Sequence, residues 1–245
     1  MLNDIFTLIW KEWKEVFLQR SSGRMGLVSL LIFVGMFGIF LPLQSGVEWL
    51  VSPMSMALAM WMPIFLVLGL VTDAFAGERE RHTLETLLAS RLSDTAILFG
   101  KIGAGVAYGF TFALVTLIVG AVTINIAFPA GGLKFYTLPL FFGGLAFSLL
   151  TCLLMASLGV LVSLRSPTAR VAYQKLSIVM LVIVLLPTLL LPLLPEDLQM
   201  SVQMALQNIN WGAIMLIAAV VLITAVAVLI GIAKARFQRA KLILD

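Results

Sequence analysis

Five ionisable side chains stand in a row at Glu78, Arg79, Glu80, Arg81 and His82, and Thr83, Leu84, Glu85, Thr86, Leu87 and Leu88 follow directly. Catalysis is a poor match for this run. His82 is the single histidine and Cys152 the single cysteine, which excludes paired-histidine zinc motifs, thiolate metal sites and an internal disulfide. No G-x-S-x-G elbow occurs. Gly100-Lys101 is followed by Ile102 and lacks the upstream glycine of a G-x-x-x-x-G-K-[ST] phosphate loop, so any nucleotide used is bound by another chain. Recognition is what these residue types support. Glu78 to Arg81 alternate in sign, with Arg91 and Asp94 beyond, while Leu84, Leu87, Leu88 and Leu92 form a narrow stripe on one face of a short helix. A mixed-sign surface with such a stripe suits a protein partner better than an anionic lipid. A loop helix folded back on its own bundle fits the same pattern equally well.

The elements that must position this run are set by composition. Of 245 residues, 61% are hydrophobic and 11% charged, against roughly 45–50% and 25% in ordinary globular chains. A water-soluble enzyme, a disordered chain and a fibrous one are excluded. Apolar stretches at 26–43, 54–77, 102–128, 138–164, 176–194 and 211–233 are each near or beyond the roughly 20 residues a membrane span needs. They predict an all-α polytopic membrane protein with six transmembrane helices, organised as one domain over 1–245. The first stretch has no Ala-x-Ala exit and is expected as a retained span rather than a cleaved signal.

The formal charge of +4 is a topology signal. Lys11, Lys14, Arg20 and Arg24 lie on one side with Arg79, Arg81, Arg91 and Lys101, Arg165, Arg170 and Lys175, and Lys234, Arg236, Arg239 and Lys241. Only Lys134 falls in the opposite loops, which carry Glu48, Glu196 and Asp197. The positive-inside rule then places both termini in the cytoplasm of a cell-membrane protein. No nucleic-acid partner is expected. The purely basic tail from Lys234 to Lys241 serves most simply as an anchor to anionic headgroups.

Residues 1–22 predict an amphipathic interfacial helix. Leu2, Ile5, Phe6, Ile9, Trp13, Val16 and Phe17 share one face, with Asp4, Thr7, Lys11, Glu12, Lys14 and Glu15 opposite. It is either a plain membrane-surface anchor or an elbow helix that also touches a cytoplasmic partner. The span over 54–77 is about 36 Å long, so Asp73 is expected near headgroup depth. Ser93 is the expected N-cap of the helix entering the third span.

Apart from Asp73, no ionisable residue falls inside the six stretches, which counts against an ion-coupled carrier. Candidate lining groups are Thr111, Thr116, Thr123 and Asn125 on the third span and Ser148, Thr151 and Ser157 on the fourth. Each serves equally as a packing residue bonded to its own helix. A largely apolar lining suits an amphipathic or lipid-like cargo such as a drug, peptide or lipid. Gly105 and Gly109 permit close helix approach, within one chain or across a dimer. Pro63 is expected to kink the second span, and the twelve methionines read as adaptable packing.

Glu78-Arg79-Glu80-Arg81-His82-Thr83-Leu84-Glu85-Thr86-Leu87-Leu88-Ala89-Ser90, then Ser93 and Gly100-Lys101, resembles the signature of the ABC-2 type exporter permeases, roughly E-x-E-x-G-T-L-E-x-L-L-x-S-P, a Ser, and G-K. Lys11-Glu12 is similar to the family's start. The sequence departs at His82, where Gly is usual, at Arg91, where Pro is common, and at Ala96, where an acidic residue often stands. The resemblance implies a half-transporter covering the whole chain. Two permease halves, identical or related, would pair with two cytoplasmic ATPase subunits that bind ATP and Mg. No cofactor is expected on this chain, which would not itself be an enzyme. The segment 78–98 would hold the coupling helix, seated in a groove of the ATPase and assigned to Glu78, Arg79, Glu80, Arg81, Thr83, Leu84, Glu85, Leu87 and Leu88. Leu84, Leu87 and Leu88 would be its docking knob, with Glu78, Glu80 and Glu85 setting register. Short re-entrant helices before the last span are implied too, and Pro187, Pro192 and Pro195 fit them. The competing readings are a membrane subunit that anchors or assembles an ATPase complex without moving a solute, an ion-coupled secondary transporter, and an intramembrane enzyme.

Overall fold

The computed structural model describes residues 2–18, 31–195, 197–201 and 211–237. Helix α1 covers Leu2–Leu18, and α2 covers Leu31–Leu50. Then come α3, Pro53–Glu80; the short α4, Leu84–Leu88; α5, Asp94–Ala127; α6, Leu138–Arg165; α7, Ala169–Leu190; and α8, Trp211–Arg236. No strand occurs among the described residues. Four of these helices, α2, α5, α6 and α8, contain windows long and apolar enough to cross a membrane.

Local chemistry sets several boundaries. Ser93 caps α5 as its sequence predicts, its hydroxyl accepting the Ala96 N–H at 3.2 Å. Helices α3 and α6 carry proline in their first turn, where the missing N–H costs nothing. Helix α2 is composite. It widens into a π turn at Gly35–Phe40 and tightens to a 3-10 turn at Gly46–Leu50. The Gly38 carbonyl in the π turn accepts the Thr123 hydroxyl of α5 at 2.9 Å, which keeps a polar backbone group satisfied inside the bundle.

The third span is longer than its apolar stretch: α5 starts at Asp94, behind the expected cap, and is one helix of 34 residues, so Lys101 belongs to its buried part. Pro63 lies inside α3 without ending it. Pro187 likewise does not end α7; the break comes at a 3-10 turn over Leu191–Leu193. The expected re-entrant segment falls largely on 202–210, outside the described residues, as do the start of the first stretch at 26 and the tail beyond 237.

Helices α3, α5 and α6 form the central core, with α8 against α6, α7 against α3, α2 along the far part of α5, and α1 across its first turns. Gly105 and Gly109 make their close approach within the chain. They receive Val71 and Val67 of α3, both fully buried. The loop after α5 is pinned by Asn125, whose side chain donates to the Lys134 carbonyl at 2.7 Å and accepts the Lys134 N–H at 2.8 Å. At the opposite end of the bundle α1, α4 and the 78–101 segment meet, and Phe237, just past α8, packs on Phe75 of α3 at 5.4 Å between ring centres.

Candidate functional site

The acidic-and-arginine run is the end of α3 and the turn that stops it. The Thr83 N–H bonds to the Glu78 carbonyl at 2.9 Å and the His82 N–H to the Arg79 carbonyl at 3.1 Å. This is a Schellman stop, which demands a left-handed residue between. His82 is that residue, at φ 56°, and the related pattern puts glycine there for that reason. Replacing His82 with Gly is expected to raise stability by about 0.5–1 kcal/mol, read as a small rise in melting temperature in detergent. An unchanged or lower melting temperature would contradict it.

Each charge of the run grips a different element. Glu78 is 6% exposed and takes Lys101 of α5 at 3.3 Å and Lys11 of α1 at 3.6 Å, with the Thr83 hydroxyl donating to its carboxylate. Arg79 donates to the Ser166 and Leu164 carbonyls at 2.7 and 3.2 Å, satisfying the C-terminus of α6. Glu80 accepts the Ala169 N–H at 3.3 Å, placing a carboxylate at the N-terminus of α7. Arg81 pairs with Asp73 at 2.8 Å.

Lys101 is the centre. Its ammonium, 1% exposed, lies 2.9 Å from Glu12 of α1 and 5.4 Å from the centre of the Phe75 ring. Burial pushes the Glu78 carboxyl up, but the Lys101 charge, the Thr83 hydroxyl and Lys11 outweigh it and hold Glu78 below the usual carboxylate range. Oxygens of Glu12, Glu15 and Glu78 lie within 4.8 Å of one another, a spacing that suits a cation. Lys101 and Lys11 supply that charge, Lys11 lying 3.0 Å from Glu15.

The leucine stripe divides. Leu84 and Leu88 are 5% and 3% exposed and belong to the chain's own core, so they are not a docking knob, and α4 does fold back on its bundle. Glu78 likewise faces inward, while Glu80 stays exposed and spends one carboxylate oxygen on the Ala169 N–H. Glu85, Thr86 and Ala89 remain exposed. Leu87 turns into a groove of about 440 Å³ between α1 and α4, floored by Leu8 and Leu92 and edged by Asp4, Thr86 and Ser90.

Helix α1 also differs from its expected single apolar face. Leu8, absent from that stripe, is the most buried of its described side chains and packs on Gly100, while Ile9 meets Gly103. Leu2, Phe6 and Trp10 are exposed on another face. The side chains of Val16 and Phe17 lie outside the described residues.

Most of the candidate lining groups are spent on bonds within the chain or buried. Thr116 donates to the Phe112 carbonyl, Thr123 to Val119 and Gly38, and Thr151 to Phe147 and Ser148, all backbone acceptors. Asn125 pins its loop, Ser148 is fully buried in α6, and Thr111 is exposed on α5.

Sequence reading missed Ser163, whose hydroxyl accepts the Phe75 and Ala76 N–H groups at 3.1 and 2.9 Å and donates to the Thr72 carbonyl at 2.8 Å. A serine in an apolar helix carries no mark of such a role. It also missed Lys101, and there a signal existed, since a lone lysine between Leu98 and Ile102 in an apolar run needs a buried partner.

The model of the ABC-2 family transporter proteins matches residues 44–211, more than half of the chain and all of the charged turn. A search among curated proteins gives no match. Long apolar helices, the turn that α3 presents at one end of the bundle and this match lead to one assignment. The chain belongs to the ABC-2 family of transporter proteins, as a multi-pass membrane permease that works with an ABC ATPase partner.

Proposed function

We propose that this chain is one half of the membrane pathway of an ATP-driven exporter. It crosses the cell membrane six times with both termini in the cytosol, pairs with a second permease half, and is driven by two ATPase subunits that hold the ATP and magnesium. It hydrolyses no ATP itself. The basic residues gathered on one side of the six apolar stretches support this topology. The groove between α1 and α4 carries the coupling reading. It has an apolar floor and polar edges, and it sits on the turn whose charges reach four other parts of the bundle.

That wiring gives the turn its mechanical use. A push on α4 is carried by Glu78 and Lys101 into α5 and α1, by Arg79 into the end of α6, and by Glu80 into the start of α7. Closure of the ATPase pair would then tilt these helices as near-rigid bodies between two packings. With Thr116 and Thr151 bonded to their own helices and Thr123 to its own helix and α2, few polar groups remain for a route, which suits an amphipathic or lipid-like cargo.

The interface is tested on exposed residues, since changing Leu84 or Leu88 would break the core. Glu85→Arg combined with Thr86→Trp is expected to lower co-purification of the ATPase by about thirtyfold at an unchanged melting temperature of the permease. Undiminished recovery of the ATPase would refute docking at this groove. ATP-dependent loss of an amphipathic probe from vesicles holding the intact complex tests transport, and ATPase association without it would leave an anchoring subunit.

A further inference from the structure

A second cleft, on the other side of α1 from the α4 groove, encloses about 620 Å³ between α1, α3 and α7. Its walls differ in charge. On the α7 wall Arg170 and Tyr173, one turn apart, both face the space. Arg170 makes no ion pair with a described carboxylate, whereas Arg81, the other cation lining the cleft, pairs with Asp73. The facing wall carries Asp73 and Glu15, which remain 37% and 30% exposed in spite of their partners. One wall therefore offers an unspent guanidinium beside a phenol, and the other offers carboxylate oxygens still open to a donor.

Depth and floor narrow the ligand. Asp73 lies about 30 Å along α3 from Pro53, the thickness of a hydrocarbon core, so the cleft opens at the headgroup level of the leaflet at the charged end. Gly69 and Leu70 make an apolar floor. Along α7 beyond Tyr173, Leu181 and Val182 are exposed, giving an apolar surface on the membrane side. Tyr173, 40% exposed, is the residue type that settles at this level. We propose that the cleft binds a zwitterionic phospholipid with a primary ammonium, its phosphate on Arg170 and Tyr173, its ammonium on Asp73 and Glu15, and its acyl chains leaving along α7. An anionic lipid with a neutral head, such as phosphatidylglycerol, would satisfy Arg170 but would bring no cation to the two carboxylates. The site depends on membrane embedding and not on transport or on the ATPase.

The test uses the purified full chain in detergent, titrated with phosphatidylethanolamine, phosphatidylglycerol or water-soluble glycerophosphoethanolamine, with bound lipid counted by native mass spectrometry. One phosphatidylethanolamine per chain is expected to be retained in preference to phosphatidylglycerol, and the soluble headgroup is expected to bind far more weakly. Arg170→Gln should weaken retention about tenfold and Tyr173→Phe by a smaller factor. Arg165→Gln, an exposed arginine outside the cleft at the same end of the bundle, should leave retention unchanged. Equal retention of phosphatidylglycerol, or equal losses for Arg165→Gln and Arg170→Gln, would reduce the effect to general attraction by a basic rim and overturn the proposal. Glycerophosphoethanolamine binding as tightly as the lipid would overturn the lipid assignment. Retention unaffected by both Arg170→Gln and Tyr173→Phe would overturn the site itself.

Discussion

Lys101→Met is expected to cost about 3–5 kcal/mol, because removing the buried member of an ion network leaves its carboxylates to share the half-exposed Lys11 as their counter-charge. Glu12 and Glu78, with side chains 12% and 8% exposed, both address the same ammonium. Methionine fills much of the volume but leaves two carboxylates facing each other. For a chain of this size the loss corresponds to a fall of roughly 6–20 °C in melting temperature, measurable by loss of monodisperse protein on heating in detergent. Adding Glu78→Gln to Lys101→Met should recover part of it, since one of the stranded charges is gone. The pH dependence separates lost pairing from lost packing. In the native protein Glu78 is held below the usual carboxylate range, so its contribution is complete above about pH 4.3 and is lost as pH falls through the lowered value. In Lys101→Met the buried Glu78 loses the charge that offsets its burial, so the deficit relative to the native protein should be smaller at pH 5 than at pH 7.5. A deficit independent of pH, or a melting temperature within about 2 °C of the native one, would show that the ion network does not hold this end of the bundle.

How much of this could be read from the chain depends on the distance between partners. The all-helical, multi-pass character follows from the length and hydropathy of single segments, and the Ser93 cap from residues three apart. The Leu84–Leu88 stripe was legible as a face, because periodicity shows which residues share a side. It does not show what covers that side, and the chain's own core does. Glu12 sat among the polar residues of α1 and looked solvated, yet its partner Lys101 is 89 positions away. The same holds for Arg79, whose acceptors lie at the end of α6. The charges from Glu78 to Arg81 looked like a surface offered to another protein. Three of them instead tie α3 to four other helices, α1, α5, α6 and α7, and the fourth folds back on α3 itself. On α4 and just after it, what stays open to a partner is the less conspicuous Glu85, Thr86 and Ala89, beside the outer side of the turn at Arg81 and His82.

The seam between α3 and α5 sets the other large expectation. Gly105 and Gly109 lie one turn apart on α5 and meet Val71 and Val67, one turn apart on α3. A methyl built on Gly109 would stand 2.3 Å from Val67 Cγ2 and 2.9 Å from Cys152 Sγ, and one on Gly105 would stand 2.4 Å from Val71 Cγ2. The obstructing atoms cannot swing aside, because a β-branched valine in a helix has essentially one side-chain rotamer. Val71 is also held from its other side, where a methyl on Gly159 of α6 would lie 3.0 Å from it. A larger residue must therefore part α3 from α5, the two helices that carry Glu78 and Lys101. Gly109→Leu is expected to cost about 3 kcal/mol, seen as a fall of roughly 6–12 °C in melting temperature. Gly143→Ala is the matched control, since a methyl on Gly143 meets nothing within 4 Å and the better helix former should leave the protein as stable or slightly more so. If Gly109→Leu melted with the native protein, the two glycines would not be the seat of α3. The small-residue pair would then have to serve a surface between copies of the chain, which cross-linking of cysteines placed beside it would detect.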